Sequence, residues 1–293
     1  MNRLRVPAAT IAVAVGLLSA LISACGSGDA APAAVNSPQS KAAIEQFRST
    51  MKLDAAFLVV KTRALLREIE AGEGLKAASR YAMARVRYSQ VEPLSEQFFR
   101  ALDLRIDAHD DEVQPDQFGG FHPIEKTLLI DESLDGLQPL ARQLLVDVEE
   151  LRRRIKTADL RAVPIAEGAA EVIARLPAEV KDHSLSPYSG LDLVDAAANV
   201  EGAEAAFKAV KPSLVEVDSE LAQEIEAQFA KAYKELNVYG TLARDPNQQR
   251  DAAPGALFVL LTELEPATIA EVVAPIEVLG EQLSQVPEQI DGE

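Results

Sequence analysis

Tryptophan is absent, cysteine occurs once, and aromatic residues make up only 5% of the 293 residues. A single cysteine leaves no disulfide framework and no cysteine pair for a zinc ribbon. The missing tryptophan counts against a sugar-stacking platform. Nucleotide chemistry has no foothold either, since neither a P-loop nor a glycine-rich dinucleotide fingerprint is present. The nucleophile elbow GxSxG and the zinc-protease pattern HExxH are also missing. Positive charge is scarce, with 29 basic against 46 acidic residues and a net charge of −17, which argues against nucleic acid or anionic lipid as a partner and suits a cationic one. Alternation of β-branched residues is nearly absent, so strands are not expected.

What is present begins with an address. Arg3 and Arg5 precede an apolar run from Val6 to Ile22 that ends in Leu21-Ile22-Ser23-Ala24-Cys25. A basic start, an apolar centre and small residues before the end have the layout of an export signal, and small residues ahead of the cysteine resemble a bacterial lipobox. Residues 1–24 are therefore expected to be a cleaved signal peptide, and Cys25 the diacylated first residue of a lipoprotein on the outer face of the cell membrane. Removing Arg3 and Arg5 takes the net charge from −17 to −19. Residues 25–40, rich in alanine, serine, glycine and proline, read as a lipidated tether whose extended length reaches about 50 Å at most.

From Lys41 onward apolar residues recur three and four apart, the period of an amphipathic helix. Helices are expected at about 41–71, from 75, at 137–155, 165–175, 190–210, 213–238 and 254–285, with Pro93, Pro177 and Pro212 as breaks. Phe47, Met51, Leu58, Leu65 and Ile69 mark the inner side of the first; Leu221, Ile225, Phe229, Ala232 and Leu236 form a buried stripe further on. Tyr81, Arg85, Tyr88 and Glu92, spaced four, three and four, would share one helix face. The terminal VPEQIDGE is expected to fray. These elements predict an all-α fold of two antiparallel four-helix bundles packed together, over residues 41–158 and 159–288.

Candidate chemistry gathers around His122, one of three histidines with His109 and His183. His122 and Glu125 stand three apart after Gly119-Gly120, so on a helix they project from one face. One nitrogen among several oxygens suits iron or manganese better than structural zinc. The same spacing also suits a helix start, with Pro123 in the first helical position, His122 as cap and Glu125 as an acid favouring the first turn. Glu92 and Glu96, then Asp103 and Asp107, are further pairs one turn apart that serve equally as ligands or as a solvated face.

Four blocks, RVRYSQVEPLSEQF (85–98), LDLRIDAHDDE (102–112), GGFHPIEKTLL (119–129) and YSGLDLVDAAANVEGAEAAF (188–207), resemble the imelysin-like family, which includes the EfeO and EfeM types of extracytoplasmic iron-uptake component. The resemblance extends over about residues 41–285 and implies two four-helix bundles. It also implies a metal held near a GxHxxE motif, with His122 and Glu125 as ligands, Glu92 next and Asp107 behind it; Glu96, Asp103 and Asp192 are further candidates. Iron, as Fe2+ or Fe3+, is the expected ion, with manganese, copper or zinc as alternatives. The implied role is a monomeric, membrane-anchored binding lipoprotein of an Efe-type system, without enzymatic activity, that passes iron to a permease beside a haem peroxidase. The tether runs directly into the helical domain, which matches the short form without a cupredoxin-like domain. Two other roles compete within the resemblance: an imelysin-type metallopeptidase, and an adhesion module holding an acidic polysaccharide through a bridging metal. Pro123 departs from the family pattern, and because a residue before proline avoids helical geometry, His122 is expected at the helix edge.

Overall fold

The computed structural model describes residues 37–240 and 259–291. The export signal, Cys25 and nearly all of the tether lie outside the described residues. Within them the fold is all-α, and no helix is long and apolar enough to cross a membrane.

Among the described residues ten helices follow in order: α1 (Pro38–Glu70), α2 (Gly74–Ser89), α3 (Glu92–Asp107), α4 (Phe121–Leu129), α5 (Leu137–Ile155), α6 (Ala162–Lys181), α7 (Asp192–Val217), α8 (Ser219–Leu236), α9 (Pro266–Leu283) and α10 (Val286–Asp291). A 3₁₀ turn at Leu261–Glu263 precedes α9. Helix α1 starts on a cap built by Ser37, whose hydroxyl accepts the Ser40 N–H at 3.1 Å. Its expected stripe from Phe47 to Ile69 is buried, as is the stripe from Leu221 to Leu236 in α8.

Helix α1 packs against α2, α5 and α7, while α6 packs against α7, α9 and α3, and α8 against α7 and α9. One continuous apolar cluster, from Ile44 in α1 to Ile290 in α10, runs through both groups.

Several boundaries differ from expectation. Pro93 does separate two helices, but Glu92 belongs to α3 and not to the α2 face that carries Tyr81, Arg85 and Tyr88. Pro177 and Pro212 do not end helices; they lie inside α6 and α7. The buried face continues past each, through Val180 in α6 and through Ser213 and Leu214 in α7, and this packing offsets the lost backbone bond. The C-terminal segment is also not frayed as far as Asp291. Val286 and Ile290 anchor α10 in the core against α6 and α7. Ile290→Ala is accordingly expected to cost about 2–4 kcal/mol. Urea unfolding would read that loss, and an unchanged midpoint would show the turn to be dispensable.

Candidate metal centre

The centre forms where the end of α3, the start of α4, the middle of α2 and the first turn of α7 converge. Helix α3 is kinked at Phe99 (φ −140°, ψ 37°), and its last turn carries Asp103 and Asp107. Gly120 caps α4 at φ 80°, a conformation strained for any residue with a side chain. A Cβ at Gly120 would stand 2.1 Å from the Ile106 carbonyl oxygen, so only glycine lets α4 begin directly against the end of α3. That contact brings His122 beside Asp107.

Helix α4 starts at Phe121, so Gly120 and not His122 is the cap, and His122 lies inside the helix. Pro123 falls in the first turn, where the N–H it lacks would have had no intrahelical partner. Phe121 seats the helix between Tyr81 and Tyr88 of α2, with ring centroids at 5.8 and 5.6 Å.

His122 and Glu125 are both buried. The imidazole Nδ1 lies 3.3 Å from Glu125 Oε2, and Glu125 Oε1 accepts the Ser189 N–H at 2.9 Å. Burial raises the Glu125 pKa, but the bonds from His122 and Ser189, with Arg85 nearby, hold it below the ordinary carboxylate range. On the other edge of the ring, Nε2 faces Asp107 Oδ1 at 3.6 Å. Both atoms are buried and neither has a hydrogen-bond partner.

Asp107 is held from behind. Its Oδ2 pairs with Arg85 Nη1, while Arg85 Nε donates to Asp195 Oδ2 at 3.0 Å and Nη2 to the Leu185 carbonyl at 3.4 Å. Ser186 ties the loop before α7 to the same group, its hydroxyl donating to Asp195 Oδ2 and its N–H to Asp192 Oδ1 at 3.1 Å. Burial pushes Asp192 to about 7 and Asp195 to about 6, and Asp107 well upward despite Arg85. Asp103, which accepts the Tyr88 hydroxyl and pairs with Arg100 at 3.2 Å, is pushed by burial to about 7.

The sequence candidates thus divide. His122, Glu125 and Asp107 come together. Glu92 is turned to Arg175 at 2.6 Å and, through its other oxygen, to the Asn199 side-chain amide at 3.0 Å; Glu96 also pairs with Arg175. Among the described residues, no three His, Cys, Asp or Glu side chains already stand in metal-holding geometry.

Sequence reasoning passed over Arg85, Asp195 and His109 as members of the centre. Asp195 was legible as the residue one turn after Asp192, and Arg85 as a charge on the buried face of Tyr81 and Tyr88. His109 follows the end of α3 and stacks its ring on His122 at 4.4 Å. Burial, with His122 and Arg85 close by, lowers the His109 pKa. His109 and His122 line a cavity of about 300 Å³ with Asp110, Asp111, Phe118, Ser184, Pro187 and Tyr188, which gives the buried imidazole a route to the outside.

Five buried carboxylates, Glu92, Asp103, Glu125, Asp192 and Asp195, and the nearly buried Asp107 lie around the buried Arg85 guanidinium and the His122 imidazole, with the more exposed Arg175 and Arg100 pairing only with Glu92 and Asp103 among them. Such an imbalance stabilises an added cation more than an anion or a neutral ligand. An imidazole nitrogen beside carboxylate oxygens is a donor set for a transition-metal ion.

The family model described as Peptidase_M75: Imelysin matches residues 43–265. The chain is 31% identical over 232 residues to the iron uptake system component EfeO of Escherichia coli (strain K12) and equally to that of Shigella flexneri, covering 76% of this chain and 62% of each relative. It is 33% identical over 203 residues to the EfeO of Shigella boydii serotype 4, covering 68% of this chain and 54% of that protein. The chain therefore spans about three fifths of the length of the curated relatives it matches. With the family model covering well over half of its length, the chain belongs to the imelysin family.

Proposed function

We propose that this protein is an extracytoplasmic cation-binding component of an iron uptake system, a binding protein and not an enzyme. In this reading Cys25 anchors it to the outer face of the membrane, and it delivers its ion as a monomer to a permease that works beside a haem peroxidase. Its similarity to the iron uptake system component EfeO supports the iron role. The observation that carries the reading is the pair of buried, unpartnered atoms His122 Nε2 and Asp107 Oδ1, facing each other at 3.6 Å.

When Nδ1 carries its proton toward Glu125, Nε2 presents a lone pair, so the ion is taken by His122 Nε2 and Asp107 Oδ1. A carboxylate on the far ring nitrogen orients a ligating histidine and raises its basicity. Glu125 fills that role here, and becomes a ligand itself only where it leaves Nδ1 and the Ser189 N–H. Glu92 joins only where Arg175 releases it. Iron fits this oxygen-rich set, and manganese, copper and zinc compete for it.

Isothermal titration with Fe2+ under anaerobic conditions, and with Mn2+ as a redox-stable stand-in, tests the assignment. His122→Ala is expected to weaken binding by at least about 100-fold, and Glu125→Ala by about 10- to 100-fold. Equal affinities in wild type and both variants would remove the site from consideration.

A further inference from the structure

Among the described residues, Arg85 is the one arginine or lysine that is fully buried, at 1% exposure. It already occupies part of the charge that an incoming ion needs. Its guanidinium pairs with Asp107 on one side and lies 3.0 Å from Asp195 on the other. It cannot readily swing away, because Leu185 accepts a further N–H and the guanidinium carbon sits 5.6 and 5.7 Å from the ring centroids of Tyr88 and Phe121. The negative groups around it are less fully committed, since Asp107 Oδ1, Asp195 Oδ1 and Asp192 Oδ2 lack hydrogen-bond partners.

Resting on the cation-binding reading above, we infer that Arg85 is the charge-selectivity element of the centre, a resident cation that makes the site favour divalent over trivalent ions and hold either loosely enough to release. The physical basis is the linear dependence of Coulomb energy on charge. A fixed positive charge opposes an entering ion in proportion to that ion's own charge, so its penalty is one and a half times larger for a trivalent ion than for a divalent one. Low solvent access keeps that field from being screened. Arg85 also competes by contact, because Asp107 offers one oxygen to the guanidinium and only the other to His122.

The contact effect acts alike on both kinds of ion, whereas the field effect separates them. The ratio of trivalent to divalent affinity is therefore the quantity to measure. Mn2+ and Tb3+ serve as probes, since neither changes oxidation state under the assay and both accept carboxylate oxygens. In titrations of the purified protein, Arg85→Gln is expected to tighten both ions and to raise the Tb3+ to Mn2+ affinity ratio by about tenfold or more. Arg85→Lys keeps the charge, but a single ammonium lacks the planar fork that spans Asp107 and Asp195. It is expected to tighten both ions by a similar factor and leave the ratio within about twofold of wild type.

An unchanged or lowered ratio in Arg85→Gln would overturn the inference. Should that variant fail to fold, a changed ratio in Arg85→Lys, or weaker binding of both ions, would overturn it instead. His122→Ala added to Arg85→Gln must abolish the gain, and a gain that persists places the ions elsewhere and likewise defeats it. Wild-type protein that binds neither ion would defeat the functional reading itself. Wild-type binding at His122 with no ratio change in Arg85→Gln would defeat the role of Arg85 alone.

Discussion

Gly168→Val is expected to lower the melting temperature by roughly 10 °C, corresponding to about 4 kcal/mol in a domain of this size. The reason is a backbone contact. A Cβ on Gly168 in α6 would lie 2.2 Å from the Pro93 carbonyl oxygen and 2.9 Å from Gln97 Cβ. Across the same corner, a Cβ on Gly202 in α7 would lie 2.5 Å from the Gln90 carbonyl oxygen. The break between α2 and α3 therefore sits on two glycines, one from each helix beneath it. Because the obstructing atoms are main chain, a larger side chain must move a helix and not merely a rotamer, which places the cost at the high end for overpacking. Gly74→Ala supplies the contrast. It starts α2 with nothing within 4 Å of its Cβ position, so the gain in helix propensity should leave stability unchanged or raise it by a few tenths of a kcal/mol. Thermal scans of the two variants should move in opposite directions or leave only Gly168→Val destabilised. Similar melting temperatures for Gly168→Val and wild type would mean that the corner yields freely.

The same corner shows which parts of the structure the sequence could disclose. Period is a local property, and where a stripe is long the helix bounds follow from it: the expected helix at 137–155 is α5 as observed. Proline is also local, but its effect depends on what the helix packs against. Pro93 breaks the chain where α2 must turn into α3, whereas Pro177 and Pro212 sit in helices whose buried faces continue beyond them. No pattern within either segment separates those cases.

The metal centre divides in the same manner. His122 and Glu125 were legible because both lie on one helix and their spacing fixes a shared face. Spacing placed Asp107 only among several equivalent acids, since its approach to His122 depends on Gly120 meeting Ile106 across a connecting loop. Glu92 and Asp107 looked alike as acids near a helix turn. Their difference comes from partners on other helices: Arg175 for Glu92, and Arg85 together with His122 for Asp107. Charge partners across 70 or more residues leave no spacing to read, as the Arg85–Asp195 pair shows.

Cation capture should weaken as pH falls from 7.5 to 5.5, by up to about tenfold per pH unit for each proton displaced by the ion. Asp107 supplies the reason, since burial raises its pKa and a proton on its carboxylate competes with the cation. Stability without the ion should run the other way. Asp103 and Asp192 titrate near 7 and Asp195 near 6 in the folded protein, all raised by burial from an ordinary value of 3.8. Between about pH 4 and 7 the native state therefore holds more protons than the unfolded chain, and stability falls as pH rises through 6 and 7. Glu112 and Glu125 have lowered values, so their opposite contribution is lost only below the ordinary carboxylate range; His109, lowered from 6.5, opposes the fall only below that value, and one imidazole is outweighed by three carboxylates. A shift of several degrees in melting temperature over that window is expected, downward with rising pH. Saturating Mn2+ should cancel or reverse the slope, since a ligand that binds only the native state stabilises it most where its affinity is greatest. Thermal scans across the window with and without Mn2+ would show both slopes. An ion-free melting temperature that climbs with pH, or a slope that Mn2+ does not alter, would mean that these buried acids are not what the ion neutralises.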